Sequence, residues 1–311
     1  MLEIAVMIEG QNGLNWERWK RIAPAVEDLG FAGLYRSDHF TNSNPPDMDS
    51  LELWVSLIWL ADHTRRIEFG PLVSPVSFRH PAMTARQAGA VDDLSNGRLT
   101  LGLGAGWQER EHSNYGFDLL APRPRFKRLE EGLNVITSLL QSDRPVNFDG
   151  DYFHLRDAVL LPRPKRPGGP PILIGGTGPK LTLPLAARFA SEWNGTFLTP
   201  NKYAEVNRRL TGLLEANGRR PESVRRSLMT GCVFGRDDAE VQRKVASRGQ
   251  TMERLRERGI LVGTAPEIVN QLHELEQAGC QRVMLQWLDL DDLDGLEALA
   301  RGVLPQLMSK P

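Results

Sequence analysis

Arg98-Leu99-Thr100-Leu101-Gly102-Leu103-Gly104-Ala105-Gly106-Trp107 runs a short apolar strand into a cluster of glycines that ends on an aromatic ring. Two earlier stretches are built alike. Gly33-Leu34-Tyr35-Arg36 leads into Ser37-Asp38-His39, and Ile67-Glu68-Phe69-Gly70-Pro71-Leu72-Val73 leads into Ser74, with Arg79-His80-Pro81 shortly after. A helical pattern separates each strand from the next. Strands alternating with helices, with polar and glycine residues gathered at the strand ends, are how a parallel barrel builds its active site. The expected fold class is therefore α/β, a (β/α)8 TIM barrel, and the expected class of protein is an enzyme.

The same alternation continues outward from these stretches. A first strand is expected at 3–8, ending at Glu9-Gly10. Trp16, Trp19, Ala23, Val26 and Leu29 fall near one face of a helix over 16–29, with Gly30 as its stop. Further helices are expected at 50–64, at 81–94 before the turn Asn96-Gly97, and at 124–140. Beyond a strand at 171–176 the chain reads as helix 180–190, strand 192–197, helix 202–217 and strand 227–234. Helices at 237–257 and 265–278, a strand at 282–287 and a closing helix at 293–308 complete it. Eight strands argue for a closed barrel. An open doubly wound sheet is the alternative, but its first turn, Glu9-Gly10-Gln11-Asn12-Gly13, lacks the G-x-G-x-x-G order that binds a dinucleotide.

Two stretches interrupt the pattern. Val146 to Leu155 reads as a β-hairpin turning at Asp149-Gly150, and a Pro-, Arg- and Gly-rich loop follows over 162–171. The successive helices after strand seven form the second interruption. The chain 1–311 is expected to be a single domain carrying insertions at about 145–171 and 235–263. The first of these is too short for a core of its own.

Composition narrows the partners. A net charge of −1 gives no footprint for nucleic acid or an anionic membrane. Arginine outnumbers lysine 31 to 7, a bias that reads as genomic rather than as a phosphate-binding surface. No apolar run approaches the roughly 18 residues of a membrane helix. The two cysteines, Cys232 and Cys280, read as buried free thiols suited to a reducing compartment. The first residues read as a strand with no basic leader, so a cytoplasmic location is expected.

Several residues have chemistry in reach. His39 stands at a strand end, where an imidazole can exchange a proton with a reacting oxygen near neutral pH. Glu9, just past the first strand, is either an acid/base group or a salt-bridge partner. Gly102 to Gly106 let a backbone approach a flat ring or phosphate, or simply make a tight turn. Gly175-Gly176-Thr177-Gly178-Pro179-Lys180, between a strand and a helix, offers free amides and a hydroxyl to a phosphate. Leu181 stands where a P-loop needs Ser or Thr, which excludes a nucleotide triphosphatase. His80, at a helix start before Pro81, reads as a capping or loop-packing residue, and Glu109 and Glu111 as solvated helix residues. Trp107 and Trp193 suit either a ring site or the core. No H-E-x-x-H, paired CxxC or G-x-S-x-G appears, so no metal is expected.

These residues bring out a family likeness. Ala25-Val26-Glu27-Asp28-Leu29-Gly30-Phe31, Ser37-Asp38-His39-Phe40, Arg79-His80-Pro81-Ala82 and Asp92-Asp93-Leu94-Ser95-Asn96-Gly97-Arg98 carry its first half. Gly102 to Trp107, Gly175-Gly176-Thr177-Gly178 and Glu192-Trp193-Asn194-Gly195 carry the rest. On these motifs the chain resembles the bacterial luciferase-like family of flavin- and deazaflavin-dependent oxidoreductases, over roughly its first two thirds. The resemblance implies a ring system at the C-terminal ends of the barrel strands. It implies a bulge, often with a non-prolyl cis peptide, at about Leu72-Val73, backing one ring face. It gives cofactor contacts to Asp38, Leu72, Val73, Gly104, Ala105, Gly106, Gly175, Gly176 and Thr177, and chemistry to His39 with Glu9.

Ser-Asp-His-Phe and Gly-Ala-Gly-Trp look more like the F420 branch than the FMN monooxygenases. Trp107 stands where sugar-phosphate dehydrogenases of that branch carry a glutamate, which argues against glucose 6-phosphate. The expected activity is hydride transfer between coenzyme F420 and a small organic substrate, in a homodimer. An FMN-dependent two-component monooxygenase fed by a flavin reductase is the alternative, and a non-catalytic flavin-binding paralogue the second.

Overall fold

The computed structural model describes residues 2–308. In chain order the elements begin β1 (Glu3–Ile8), α1 (Trp16–Asp28), β2 (Gly33–Arg36), α2 (Leu53–His63), β3 (Glu68–Pro71), β4 (Ser74–Pro75), α3 (Pro81–Leu94), β5 (Leu101–Gly104), α4 (Glu109–Tyr115) and α5 (Pro122–Gln141). They continue with β6 (Val146–Asp149), β7 (His154–Ala158), β8 (Ile172–Gly175), α6 (Thr182–Phe189), β9 (Glu192–Thr196), α7 (Pro200–Ala216) and β10 (Arg225–Phe234). The last are α8 (Asp238–Ala246), α9 (Met252–Glu257), β11 (Leu261–Gly263), α10 (Ala265–Gln277), β12 (Arg282–Gln286) and α11 (Leu293–Met308).

Strands follow one another around a ring in the order β3-β2-β1-β12-β10-β9-β8-β5-β4, every pair parallel. A bridge between Phe69 and Leu99 closes it, so β3 and β4 share the third position of an eight-position barrel. The expected TIM barrel is the observed fold.

Two apolar layers hold it. The outer one packs helices on strands and centres on fully buried side chains such as Trp19, whose Nε1 donates to the Ser56 carbonyl at 3.0 Å. Burying a side chain of this size contributes about 3 kcal/mol. The inner layer fills the barrel with Ala5, Met7, Tyr35, Leu72, Leu173, Met229 and Met284. Below it, at the N-terminal strand ends, the buried Arg282 donates to Tyr35 Oη at 2.7 Å. Its guanidinium also lies 2.8 Å from Glu68 Oε2 and 3.4 Å from Glu192 Oε2, and its Nε donates to Glu3 Oε2 at 2.8 Å. That ionic plug shuts the bottom. Beneath it a basal cleft lined by Glu3, Glu68, Glu192 and Arg225 reaches solvent, and the plug separates that cleft from the mouth at the C-terminal end.

Helix starts follow local chemistry. Asn15 accepts the Arg18 amide at 3.1 Å, and Thr264 with Glu267 forms a capping box on α10. Of the two readings of His80, capping is the one observed, its Nδ1 accepting the Ala82 amide at 3.2 Å. The hairpin β6–β7 pairs Phe148 with Leu155 and Asp149 with His154. Glu131 of α5 pins its turn by accepting the Asp151 and Tyr152 amides at 3.0 and 2.8 Å.

The expected helix over 237–257 is in fact two. Gly249, at φ 60, ends the first, and the Thr251 side chain caps the restart by accepting the Arg254 amide. The short β11 then pairs with the end of β10, an addition that periodicity did not show. Both cysteines are buried and free. Among the described residues no helix is long and apolar enough to cross a membrane.

Candidate active site

The mouth of the barrel is organised by the break in its third strand. The Leu72–Val73 peptide is cis, and Leu72 donates its amide to the Arg36 carbonyl at 2.7 Å. Val73 then lies across the two next strands. A Cβ built on Gly104 would fall 2.6 Å from Val73 Cγ2, and one on Gly175 would fall 3.2 Å from Val73 Cγ1. A Cβ on Gly102 would land 2.0 Å from the Pro71 carbonyl oxygen. The glycines therefore make room for the bulge itself. Ala105 is buried behind them, and Gly106, at φ 83, backs onto Ser77 and His112. What they present to the mouth is the apolar pair Leu72 and Val73.

His39 follows β2. Its Nδ1 lies 2.8 Å from Glu111 Oε1, while the other Glu111 oxygen accepts the Phe40 amide at 3.1 Å. Glu111 was expected to be solvated. It is fully buried instead, because α4 folds back under the mouth and its carboxylate finds two donors there. A carboxylate facing Nδ1 keeps the proton on that nitrogen and leaves Nε2 free for other work. Burial lowers the basicity of the ring, but the hydrogen bond and charge of Glu111, with Glu9 and Asp38 nearby, outweigh it and raise the His39 pKa. The exposed Trp107 meets His39 edge to face at 5.4 Å.

Glu9 is held by two amides: Gln286 Nε2 donates to Oε1 at 2.7 Å and Gln11 Nε2 to Oε2 at 3.0 Å. Ser37 fixes Gln11 in turn, its hydroxyl donating to Oε1 at 2.8 Å. Asp38 likewise commits both oxygens to protein, but to a charged partner. It pairs with Arg79 through both, and accepts the Ser74 hydroxyl at 2.7 Å. Burial pushes its pKa up against the pull of Arg79. Its observed work is to tie the end of β2 to the far side of the bulge.

The turn after β8 keeps donors in reserve. Gly176, at φ 116, donates its amide to the Asn194 carbonyl at 2.9 Å and accepts from Trp193 Nε1 at 2.8 Å. Trp193 is thus a core ring that anchors the turn. Thr177 engages neither its amide nor its hydroxyl with any described residue. Such a free pair at the C-terminal face of a barrel suits a phosphate. Phe197, past β9, holds φ 50, a left-handed conformation that costs a bulky residue about 1–3 kcal/mol. It packs on the inner barrel cluster, as Val73 also does.

The structure thus brings His39, Glu9, Leu72, Val73 and Thr177 to one end of the barrel. Sequence reading missed Glu111, Gln11, Gln286 and Phe197. His39 and Glu111 are 72 residues apart, and nothing local links them.

A family model described as luciferase-like monooxygenase matches residues 3–256. The chain belongs to that family. Among luciferase-like relatives, an F420-dependent glucose-6-phosphate dehydrogenase of Amycolatopsis mediterranei is 28% identical over 92% of both chains. A 4-hydroxyprotoasukamycin monooxygenase of Streptomyces nodosus subsp. asukaensis is 32% identical over 58% of this chain, which spans about half (47%) of that relative's length. The solved structure of an F420-dependent secondary alcohol dehydrogenase, in complex with an F420-acetone adduct, superposes with a TM-score of 0.87. It is 18% identical and 99% of each chain is covered, so the luciferase-like barrel is shared throughout.

Proposed function

We propose that this luciferase-like chain is an oxidoreductase that moves a hydride between coenzyme F420 and a small organic molecule. The observation that carries the proposal is the His39–Glu111 pair, set at the same barrel mouth as the Leu72–Val73 floor and the free Thr177 donors. F420, when bound, supplies a two-electron hydride carrier. The residues present fit it: an apolar shelf for a flat ring, and unengaged donors for a phosphate. In this reading Leu72 and Val73 carry the ring, Gly104 makes room for Val73, and Ala105 and Gly106 continue the turn behind the ring. Gly175, Gly176 and Thr177 hold the phosphate, and Asp38 acts by fixing the bulge through Arg79. His39 Nε2 exchanges a proton with the substrate oxygen, and Glu9 is the second acid/base group. Trp107 shields that exchange from water.

The Amycolatopsis relative, matched along most of both lengths, supports F420 over FMN. The Streptomyces relative, a monooxygenase, keeps an FMN-dependent reading with a separate flavin reductase in play. Fluorescence titration with F420 and FMN side by side separates them. We expect micromolar or tighter binding of F420, as for ligands that bury most of their surface. Tighter binding of FMN, with oxygen consumption on reduced FMN, would overturn the F420 assignment. Tight binding without turnover of any alcohol, aldehyde, enone or imine would mark a non-catalytic paralogue.

A cytoplasmic homodimer completes the reading, supported by two free buried thiols and by one face of the barrel. Val55 and Ile58 on α2 and Met83 and Leu94 on α3 are exposed apolar side chains, continued by Val159 and Leu161. A patch of this kind marks a contact surface. Sedimentation should find a dimer that Ile58→Lys with Leu94→Lys converts to a folded monomer. A wild-type monomer at all concentrations would end this part of the account.

A further inference from the structure

A chamber of about 300 Å³ opens beside the mouth, between the ends of β9, β10 and β12, the link that follows α8, and α9. It borders the reaction site directly. Gln286, which holds Glu9, forms part of its wall, and Phe197, which packs on the same inner barrel cluster as Val73, forms another. Gly231 keeps it open: a Cβ there would sit 3.2 Å from Ile260 and 3.6 Å from the Phe197 ring.

The wall has a definite chemistry. Leu255, Ile260, Leu288 and Phe197 are apolar, and the charged groups are Arg248 and Arg258, with no carboxylate among the lining residues. Arg248 donates one N–H to the Lys244 carbonyl at 2.8 Å, and neither arginine has a carboxylate partner among the described residues. Arg248 also lines the neighbouring cleft, which differs in holding two carboxylates, Asp289 and Asp292, the second paired with Lys244 at 3.1 Å. Two exposed guanidinium groups at the rim of an apolar wall, with no carboxylate in the chamber itself, match an oxyanion on an apolar body.

We propose that the substrate of this oxidoreductase is a small organic anion. Its carboxylate or phosphate head is read by Arg248 and Arg258, and its apolar body lies along Phe197, Ile260 and Leu288 toward His39. The inference rests on the proposed function for the reaction and adds the substrate class. It also explains why a second insertion exists, since both arginines come from it.

The test is calorimetry on the full chain, with and without F420, using hexanoate, hexyl phosphate and the neutral hexanamide as probes. A dissociation constant for one or both anions about tenfold or more below that of the amide is expected, as for a charge-assisted contact. The double variant Arg248→Gln with Arg258→Gln should abolish that preference and leave F420 affinity unchanged. A preference for hexanoate alone, or for hexyl phosphate alone, supports the chamber and names the head group. Equal binding of acid and amide, no binding of either anion, or a preference that survives the double variant would overturn the assignment. Failure of the chain to take up F420 would sink the proposed function instead, and the probes without F420 would still judge the chamber.

Discussion

Replacing His39 by alanine is expected to lower kcat by about a hundredfold to ten-thousandfold, the usual worth of a positioned proton-transfer group. Affinity for F420 should stay within a few fold, because in this account the ring rests on Leu72 and Val73 and not on the imidazole. Pre-steady-state hydride transfer and fluorescence titration measure the two separately. Equal losses in both would make His39 a binding residue and remove its catalytic role.

Glu111→Gln tests the same pair from behind. The wild-type His39 pKa is raised because Glu111 outweighs the effect of burial. Without that carboxylate, burial is left as the dominant influence and favours the neutral ring. The limb of the pH–rate profile that reports His39 should therefore move to lower pH. A limb that stays in place would assign the titration to another group. The sign for stability follows too. With its folded pKa raised, His39 stabilises the fold below the ordinary imidazole range, and this contribution is lost as pH rises through the raised value.

Arg282→Met is expected to cost about 3 kcal/mol of folding stability, at the low end of the range for breaking a buried ion pair. The low end applies because Glu3 and Glu68 reach solvent on one side (side chains 41% and 37% exposed), whereas Glu192 is 4% exposed and cannot. Opposing effects keep Arg282 charged: burial lowers its pKa, but Tyr35, Glu192, Glu68 and Glu3 raise it further. Urea unfolding of the variant measures the loss, and adding Glu192→Gln should recover part of it. A loss under about 1 kcal/mol would show that the basal cleft hydrates Glu192 freely.

Much of the fold was legible because the period changes from 2 to 3.6 wherever a strand gives way to a helix. The glycine stops at Gly30 and Gly97 reinforce that change. The split of the expected helix 237–257 was less visible, since Gly249 alone marks it within an otherwise helical run. The candidate site was legible only where one segment carries its own signal. Ser37-Asp38-His39 and Gly175-Gly176-Thr177 announce themselves at strand ends. The reason for Gly104 was not readable, because its neighbour Val73 comes from the adjacent strand. Glu111 reads as a surface residue from helical spacing, and only the fold of α4 under the mouth buries it. Long-range pairing of that kind leaves no local trace.

The most direct test is a crystal structure of the chain with oxidised F420. The account predicts the ring lying on Leu72 and Val73 with His39 Nε2 toward its exposed face, and the phosphate on the Thr177 amide and hydroxyl. A ring bound outside the barrel mouth, or a phosphate far from Thr177, would contradict it.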